Sequence, residues 1–137
     1  MIFFVLTLSI YSGKTSMIMS LFRMVELTSG VITVDGVDIT GLPRREIRSR
    51  INGVSQDSVL FKGSVRLNAD PTGSRTDQDI RNALKSVQLL PVILEKGDLD
   101  SDMDNVHLSH GQKQLFCLAR ALLRQGNILI LDEATSK

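Results

Sequence analysis

The chain has 137 residues, a formal net charge of +1 and 42% hydrophobic residues, which fits one domain with a single core. A charge so close to zero gives no electrostatic basis for binding nucleic acid or an anionic membrane surface. The one cysteine, Cys117, cannot form a disulfide within the chain. This favours a reducing compartment and predicts that Cys117 is a small core residue.

The apolar run Met1–Leu8 opens the chain and ends at Ser9. A membrane-spanning helix needs about 20 apolar residues, so the run is too short to cross a bilayer. It also lacks the basic start and the small-residue cleavage site of a signal peptide. We therefore predict a buried strand over Ile2–Leu8 and no membrane span in this chain.

The first half of the chain then alternates turn signals with short periodic segments. Asp35-Gly36 is a typical hairpin turn, and Pro43 suits the first turn of a helix. The predicted elements are a helix from Lys14 to about Met24, a hairpin over Val31–Asp38, a helix over Arg44–Arg50 with its arginines on a solvated face, and a strand over Ile51–Ser55.

Two amphipathic helices dominate the second half. Thr76 is the predicted N-cap of a helix that reaches Leu89, and Ser109 is the predicted N-cap of a helix that Gly126 ends as the C′ residue. In the second helix the predicted core stripe is Leu115, Leu118, Ala119, Leu122 and Leu123, and the predicted outward residues are Lys113, Arg120 and Arg124.

The acidic stretch Glu95–Asp104 separates these helices and is predicted to be a solvated loop. Calcium binding is disfavoured because the glycine and the closing glutamate of an EF-hand are misplaced. After the second helix, the apolar run Ile128–Leu131 predicts another buried strand. Strands that alternate with helices in this way indicate a mostly parallel α/β layout.

The segment Leu8–Thr15 lies where a phosphate-binding loop, G-x-x-x-x-G-K-[ST], would lie between a strand and a helix. Gly13, Lys14 and Thr15 match, because the lysine can reach the β- and γ-phosphates and the hydroxyl can bind Mg²⁺. Leu8 stands where the pattern needs glycine, and a non-glycine residue in a left-handed conformation costs about 1–2 kcal/mol. A helix start with an exposed lysine remains the alternative.

Two later segments carry polar groups that could act together with such a phosphate-binding loop. The strand Ile128–Leu131 leads into Asp132 and Glu133, which could serve the Mg²⁺ shell and polarise the attacking water. Leu108–Gln112 places a serine and a glycine at a helix N-terminus, which favours an anion. Taken singly, the first could be a strand with two exposed acids and the second an ordinary N-cap; their order along the chain favours function.

With these segments in this order, the chain resembles the nucleotide-binding domain of an ATP-binding-cassette (ABC) transporter. Leu108–Gln112 is similar to the L-S-G-G-Q signature, with His110 in place of the first glycine, and Gln56 resembles the Q-loop glutamine. Tyr11 stands where the family usually has a further glycine. Val59–Asn68 and Leu115–Arg124 resemble the second ATPase domain of multidrug-resistance-associated-protein-type (subfamily C) exporters, fungal members in particular. The resemblance covers about Ser12 to Ser136.

The resemblance implies a P-loop NTPase fold of the ABC ATPase type. The family's fold combines an ATP-binding core with an antiparallel β-subdomain and a helical signature subdomain. On this basis residues 1–137 are expected to form a nucleotide-binding domain that is incomplete at both ends. Its motifs are a P-loop at 8–15, a Q-loop around 56, a signature at 108–112 and a Walker B strand at 128–133.

The resemblance also implies roles for individual residues. The catalytic residues are Glu133 and Gln56, and the ligands of Mg²⁺ are Thr15, Gln56 and Asp132. The ATP-binding residues are Ser12, Gly13, Lys14, Thr15, Ser16, Ser109, Gly111 and Gln112. The implied partners are a second nucleotide-binding domain, head to tail, and the transmembrane domains of an exporter, contacted around Gln56–Phe61. The implied location is the cytoplasmic face of a membrane.

Three functions are therefore compared. The first is an ATPase module that powers export. The second is a non-catalytic remnant or a mis-annotated gene fragment with weak or no ATPase activity, suggested by Leu8, Tyr11 and the lack of the family's adenine-stacking aromatic residue, D-loop and switch histidine in this sequence. The third is an ATPase of the same superfamily without a role in transport, which is disfavoured because the sequence between the motifs resembles exporters.

Overall fold

The computed structural model describes residues 2–5, 14–54, 58–124, 126 and 128–131. Within these residues the chain divides into two compact units, the first comprising residues up to Gly53 with 126 and 128–131, and the second running from Val54 to Arg124. Two separate hydrophobic clusters form, one in each unit, instead of the single core expected from the length. Each unit is described in turn.

The described residues form five strands and seven α-helices. The strands are β1 (Ile2–Val5), β2 (Thr33–Val34), β3 (Val37–Asp38), β4 (Ile51–Val54) and β5 (Ile128–Leu131). The helices are α1 (Lys14–Leu21), α2 (Arg44–Arg50), α3 (Val65–Ala69), α4 (Asp77–Ser86), α5 (Leu90–Glu95), α6 (Met103–Val106) and α7 (His110–Leu123).

The first unit contains a three-stranded sheet with the order β1–β5–β4. β1 and β5 are parallel, and their register pairs Ile2 with Ile128 and Val5 with Leu131. The strands predicted over Ile2–Leu8 and Ile128–Leu131 are therefore confirmed where they are described, as β1 and β5. Residues 6–8 of the predicted first strand, and Ser55 of the strand predicted over Ile51–Ser55, lie outside the described part. Parallel pairing of strands far apart in sequence is typical of α/β proteins.

The predicted hairpin is present as β2 and β3, which pair antiparallel. Its turn residues Asp35 and Gly36 both have positive φ angles, 50° and 78°. A two-residue turn with positive φ at both positions is type I′, for which Asp-Gly is a favoured sequence because these residues tolerate that region. Local chemistry alone was sufficient to predict this element.

The helix predicted to reach Met24 ends earlier, at Leu21. Arg23 has a positive φ of 50° and turns the chain away from the helix axis. Arg48 of α2 donates from Nε to the Phe22 carbonyl at 3.0 Å and from Nη2 to the Arg23 carbonyl at 3.4 Å. A cation on carbonyls at the end of a helix is favourable, so α2 stabilises the end of α1.

The prediction that Gly126 ends α7 as the C′ residue is wrong. The helix stops at Leu123 and Arg124 is its C-cap. Gly126 is instead required by close packing, since a Cβ there would lie 2.3 Å from Nδ2 of Asn52 and 3.0 Å from the Arg50 carbonyl. A contact that depends on residues more than 70 positions earlier has no signature in the local sequence.

The second unit is helical, and α4 shows how local signals begin a helix. Thr76 is its N-cap and forms a capping box with Asp79, as the sequence predicted for the start. The helix ends at Ser86 instead of Leu89, and Gln88 adopts a positive φ of 61°. A second helix, α5, then begins at Leu90 with Pro91 in its first turn, where proline is well tolerated.

The acidic stretch 95–104 is folded, which contradicts the predicted solvated loop. It contains a 3₁₀ turn at Asp98–Asp100 and the start of α6, and Leu99 and Met103 are buried. Its backbone bonds to the start of α3, because the Val65 amide donates to the Ser101 carbonyl at 2.9 Å. The apolar residues among the acids therefore decide its structure.

The core of the second unit lies between α3, α4 and α7. Ala119 and Leu123 of the predicted α7 stripe are buried, Leu118 and Leu122 are half-buried, but Leu115 is 40% exposed. Phe116 is fully buried in its place. The buried face is rotated because α7 packs against α3 as well as α4, and sequence periodicity cannot tell how many neighbours a helix has.

Candidate functional site

The parallel register of β1 and β5 sets the geometry of the site. Val5 and Leu131, the last described residue of each strand, are partners in the ladder. The chain therefore leaves both strands at the same edge of the sheet, where α/β proteins bind their ligands. In sequence, the first strand leads to the phosphate loop and α1, and the second leads to Asp132 and Glu133.

The helix predicted to start near Lys14 is described from Lys14 onwards as α1. Ser16 lies exposed in its first turn, and its carbonyl accepts a hydrogen bond from Ser20 Oγ at 2.8 Å. The side chains of Lys14 and Thr15 lie outside the described part. So do all atoms of the predicted site residues Ser12, Gly13, Gln56, Asp132 and Glu133.

The signature segment is described in full. Ser109 is the N-cap of α7, and its Oγ accepts from the Gln112 amide at 3.3 Å. The Gln112 side chain returns the bond, because its Oε1 accepts from the Ser109 amide at 2.9 Å. This reciprocal capping box brings together two of the residues that the resemblance assigned to nucleotide binding.

The capping box leaves the next two amides of α7 available. The amides of His110 and Gly111 have no acceptor among the described residues, and both residues are exposed. A Cβ at Gly111 would meet nothing within 4 Å among the described residues, so the space beside this residue is open. Such a terminus carries a partial positive charge and can accept an anion.

His107 and Leu108, which directly precede Ser109, bring the signature segment to the surface. His107 adopts a left-handed conformation, with φ 52° and ψ 53°, and its Nδ1 lies 2.8 Å from the Asn105 carbonyl. Leu108 follows and is buried. The sharp turn and this apolar anchor hold Ser109 at the exposed N-terminus of α7. Sequence reasoning missed His107, since histidine gives only a weak signal for positive φ.

Arg120 of α7 does not face outward as predicted. Its Nε donates to the Asn68 carbonyl at 2.6 Å, and its Nη1 donates to the Val59 carbonyl at 2.9 Å. Lys113 and Arg124, by contrast, are exposed as predicted. The stem of an arginine can pack on apolar neighbours while its head bonds to carbonyls, so charge alone does not place it at the surface.

Cys117, predicted to be a core residue, is only half-buried on the same helix. Burial raises the pKa of its thiol above the usual value. Its Sγ lies 4.0 Å from the Val59 carbonyl. A thiol that stays protonated is a poor nucleophile, which agrees with a packing residue.

Within the described residues, none of the helices combines the length and the hydropathy that crossing a bilayer requires.

Comparison with known proteins gives one consistent assignment. The sequence pattern described as ABC transporter matches residues 12–136. The chain is 66% identical over 125 residues to the ABC multidrug transporter B of Aspergillus fumigatus, and this match covers 91% of the chain and 9% of that protein. It is 55% identical over 126 residues to an ABC-type transporter of Gibberella zeae, covering 91% of the chain and 8% of the relative.

Plant proteins match over the same region. The chain is 45% identical over 128 residues to ABC transporter C family MRP4 of Zea mays, covering 91% of the chain and 8% of that relative. The chain thus spans about a tenth of the length of these relatives. The family match over residues 12–136, together with these identities, shows that this chain belongs to the ABC transporter family, in its nucleotide-binding P-loop ATPase domain.

Proposed function

We propose that the chain binds Mg-ATP and hydrolyses it to drive export through a membrane. The observation that carries this proposal is the parallel pairing of β1 with β5 in a register that aligns Val5 with Leu131. Because the two strands run parallel in this register, the segments that follow them in the sequence leave from the same edge of the sheet, one leading to the phosphate loop and the other to Asp132 and Glu133.

The residues proposed to bind the chain's own nucleotide have roles that the family resemblance implies and that suit their chemistry. Lys14 neutralises the β- and γ-phosphates, while the backbone of Ser12, Gly13 and Ser16 surrounds them at the start of α1. The hydroxyl of Thr15 and the carboxylate of Asp132 hold Mg²⁺, with Gln56 as a further ligand. Glu133 accepts a proton from the attacking water, which Gln56 orients.

The signature serves a second nucleotide, held by another ATPase domain in head-to-tail pairing. The exposure of Ser109, His110 and Gly111 supports this role, because a phosphate can approach the terminus of α7 without displacing other side chains. The Ser109 hydroxyl accepts from the Gln112 amide and keeps its own proton to donate. Gln112 positions Ser109 through the capping box.

The finer subdomain assignment is also a proposal. The β2–β3 hairpin represents the antiparallel β-subdomain, and the helices α3–α7 represent the helical signature subdomain. On this assignment residues 1–137 form part of one nucleotide-binding domain, with the P-loop at 8–15, the Q-loop around 56, the signature at 108–112 and Walker B at 128–133. Separate hydrophobic clusters in the two units support the division.

Transmembrane domains are the proposed partners of the segment that follows Gln56. Val59 is 56% exposed and Phe61 is 46% exposed, so this segment presents apolar side chains to solvent. Exposed apolar groups close together favour burial against a partner protein. In a transporter the chain would then lie at the cytoplasmic face of the membrane.

Nucleotide binding tests the proposal directly. We expect calorimetric titration of the chain with Mg-ATP to show binding. Lys14→Ala should weaken this binding at least about a hundredfold, because the bound phosphates lose the cation that neutralises them. Lys62→Ala is the control, since Lys62 is an exposed lysine in the second unit. A folded chain that does not bind Mg-ATP at millimolar concentration would contradict the proposal.

A non-catalytic chain that pairs with an intact ATPase domain is the second candidate. Leu8 in place of the loop glycine favours this candidate. The complete capping geometry of Ser109 and Gln112 is compatible with it, because the signature serves the nucleotide of the partner domain. Phosphate release discriminates the two functions. The first predicts turnover that Glu133→Gln abolishes without loss of binding, and the second predicts no turnover in either protein together with association to a nucleotide-loaded partner domain.

A further inference from the structure

Residues 58–61, here named the tethered segment, begin two positions after Gln56 and are held by a buried asparagine. Asn68 has no exposed surface. Its Oδ1 accepts from the Phe61 amide at 2.7 Å, and its Nδ2 donates to the carbonyls of Phe61 at 2.8 Å and Ser64 at 3.1 Å. One side-chain amide thereby satisfies both backbone groups of Phe61.

Arg120 holds the other part of the same segment. It donates to the carbonyls of Val59 and Asn68, as described above. Its guanidinium carbon lies 5.0 Å from the ring centroid of Phe61 and 6.0 Å from that of Phe116. The guanidinium is thus placed between two rings and two carbonyls, a geometry that needs its planar fork of donors.

The chemistry of Arg120 indicates that its contacts with the backbone matter more than its packing. No carboxylate pairs with it among the described residues, and its Nη2 is buried without a hydrogen-bond partner there. Burial lowers the pKa of Arg120, which reflects the cost of removing a cation from water. An aliphatic side chain would fill the space between Phe61 and Phe116 without that cost, but it could not bind the Val59 carbonyl.

Asn68 and Arg120 connect the tethered segment to α7, the helix that begins at the signature. Arg120 and Ser109 belong to the same continuous helix, α7, and Asn68 belongs to α3, which packs against α7. All these residues lie within the second unit. A displacement of α7 therefore carries the tethered segment with it unless these hydrogen bonds break.

We infer that Arg120 and Asn68 are positioning residues that fasten the tethered segment to α7, so that the chain adjoining Gln56 and the signature at Ser109 move together. The roles of Gln56 and Ser109 rest on the proposed function, whereas the fastening itself does not.

Amide hydrogen exchange tests the fastening. In the wild-type chain, the Phe61 amide should exchange as slowly as the amides of α3. Arg120→Lys keeps the charge but cannot reach both carbonyls, and Asn68→Ala removes the side-chain bonds. Both should accelerate exchange across residues 58–64 by about tenfold to a hundredfold and leave α4 unchanged. Arg124→Lys, on the same helix but exposed, should change nothing.

The Mg²⁺ dependence of nucleotide binding tests the functional part. Because Gln56 is the proposed Mg²⁺ ligand next to the tethered segment, Arg120→Lys should weaken the apparent Mg²⁺ affinity of the ATP-bound chain about tenfold. Its affinity for ATP without Mg²⁺ should match that of wild type and of Arg124→Lys. A purely structural role would weaken both affinities equally or neither.

Each outcome decides the inference. Equal loss of both affinities, or a loosened segment with unchanged Mg²⁺ affinity, overturns it. If the wild-type chain binds no nucleotide, the proposed function fails, and exchange alone then decides whether the segment is fastened. If Arg120→Lys does not fold, the wild-type Phe61 amide decides, because exchange at the rate of an unprotected amide contradicts the tether.

Discussion

At the scale of single residues, one buried carboxylate is held by several hydrogen bonds from residues close to it in the chain. Asp70 is an example, since it is only 8% exposed. Its Oδ1 accepts from the Thr72 amide at 3.1 Å and from Thr72 Oγ1 at 2.6 Å, and its Oδ2 accepts from the Arg75 amide at 2.6 Å. The carboxylate thereby organises the turn that leads into α4.

Asp70 gives a pH-dependent prediction. Burial raises the pKa of Asp70, but the hydrogen bonds from Thr72 and Arg75 outweigh it, so the pKa lies below its usual 3.8. The ionised group therefore stabilises the fold above pH 3.8, and this contribution is lost as the pH falls through the lowered pKa. We expect Asp70→Asn to reduce the free energy of unfolding by about 1–3 kcal/mol at neutral pH, and less at about pH 3.

Urea unfolding at both pH values measures this difference. Asp35→Asn is the control, because Asp35 is exposed and its positive φ of 50° is one that asparagine also adopts. A loss of stability in Asp70→Asn that stays constant between the two pH values would show that shape, and not charge, holds the turn.

At the scale of the element, the two long helices of the second unit begin with the same device. Thr76 forms a capping box with Asp79, and Ser109 forms one with Gln112. Both hydroxyls accept from an amide three residues later, at 3.2 Å and 3.3 Å. The two caps are therefore matched in structure, although only the cap of α7 lies in the proposed signature.

This match separates stability from function. Thr76→Ala and Ser109→Ala should each lower the free energy of unfolding by about 1 kcal/mol, the usual value for a lost N-cap. Only Ser109→Ala should weaken ATP-dependent association with a partner ATPase domain, measured by analytical ultracentrifugation. If Thr76→Ala weakened association to the same extent, the effect of Ser109 would be one of helix stability.

At the scale of the whole molecule, the described chain has two hydrophobic cores. Leu84 is fully buried in the core of the second unit, and Ile47 is buried in the core of the first, with Ile39, Ile51 and Ile130. No buried residue belongs to both clusters among the described residues. Cores without shared residues can unfold as separate cooperative units.

Truncation of one core should therefore affect mainly its own unit. Leu84→Ala should destabilise the second unit by about 2–5 kcal/mol and accelerate amide exchange in α4 and α7, because it leaves a cavity. Amides of α2 and the β2–β3 hairpin should keep their rates, and Ile47→Ala should show the reverse pattern. Equal acceleration in both units would mean that the chain unfolds as one cooperative body.

The sequence by itself determined the features that depend on neighbours within a few residues. The order of the short predicted motifs indicated the family, which the family match shows. The Asp35-Gly36 turn and the caps at Thr76 and Ser109 follow from local chemistry. These signals act over three or four residues, so they can be recognised without a fold.

Only the tertiary structure decided the contacts between distant positions. It turned Arg120 inward to Val59 and Asn68, placed Gly126 against Asn52, and folded the acidic stretch around Leu99. It also decided the parallel register of β1 and β5. Each of these depends on groups brought together from far apart in the chain, where helical periodicity and turn signals carry no information about the partner.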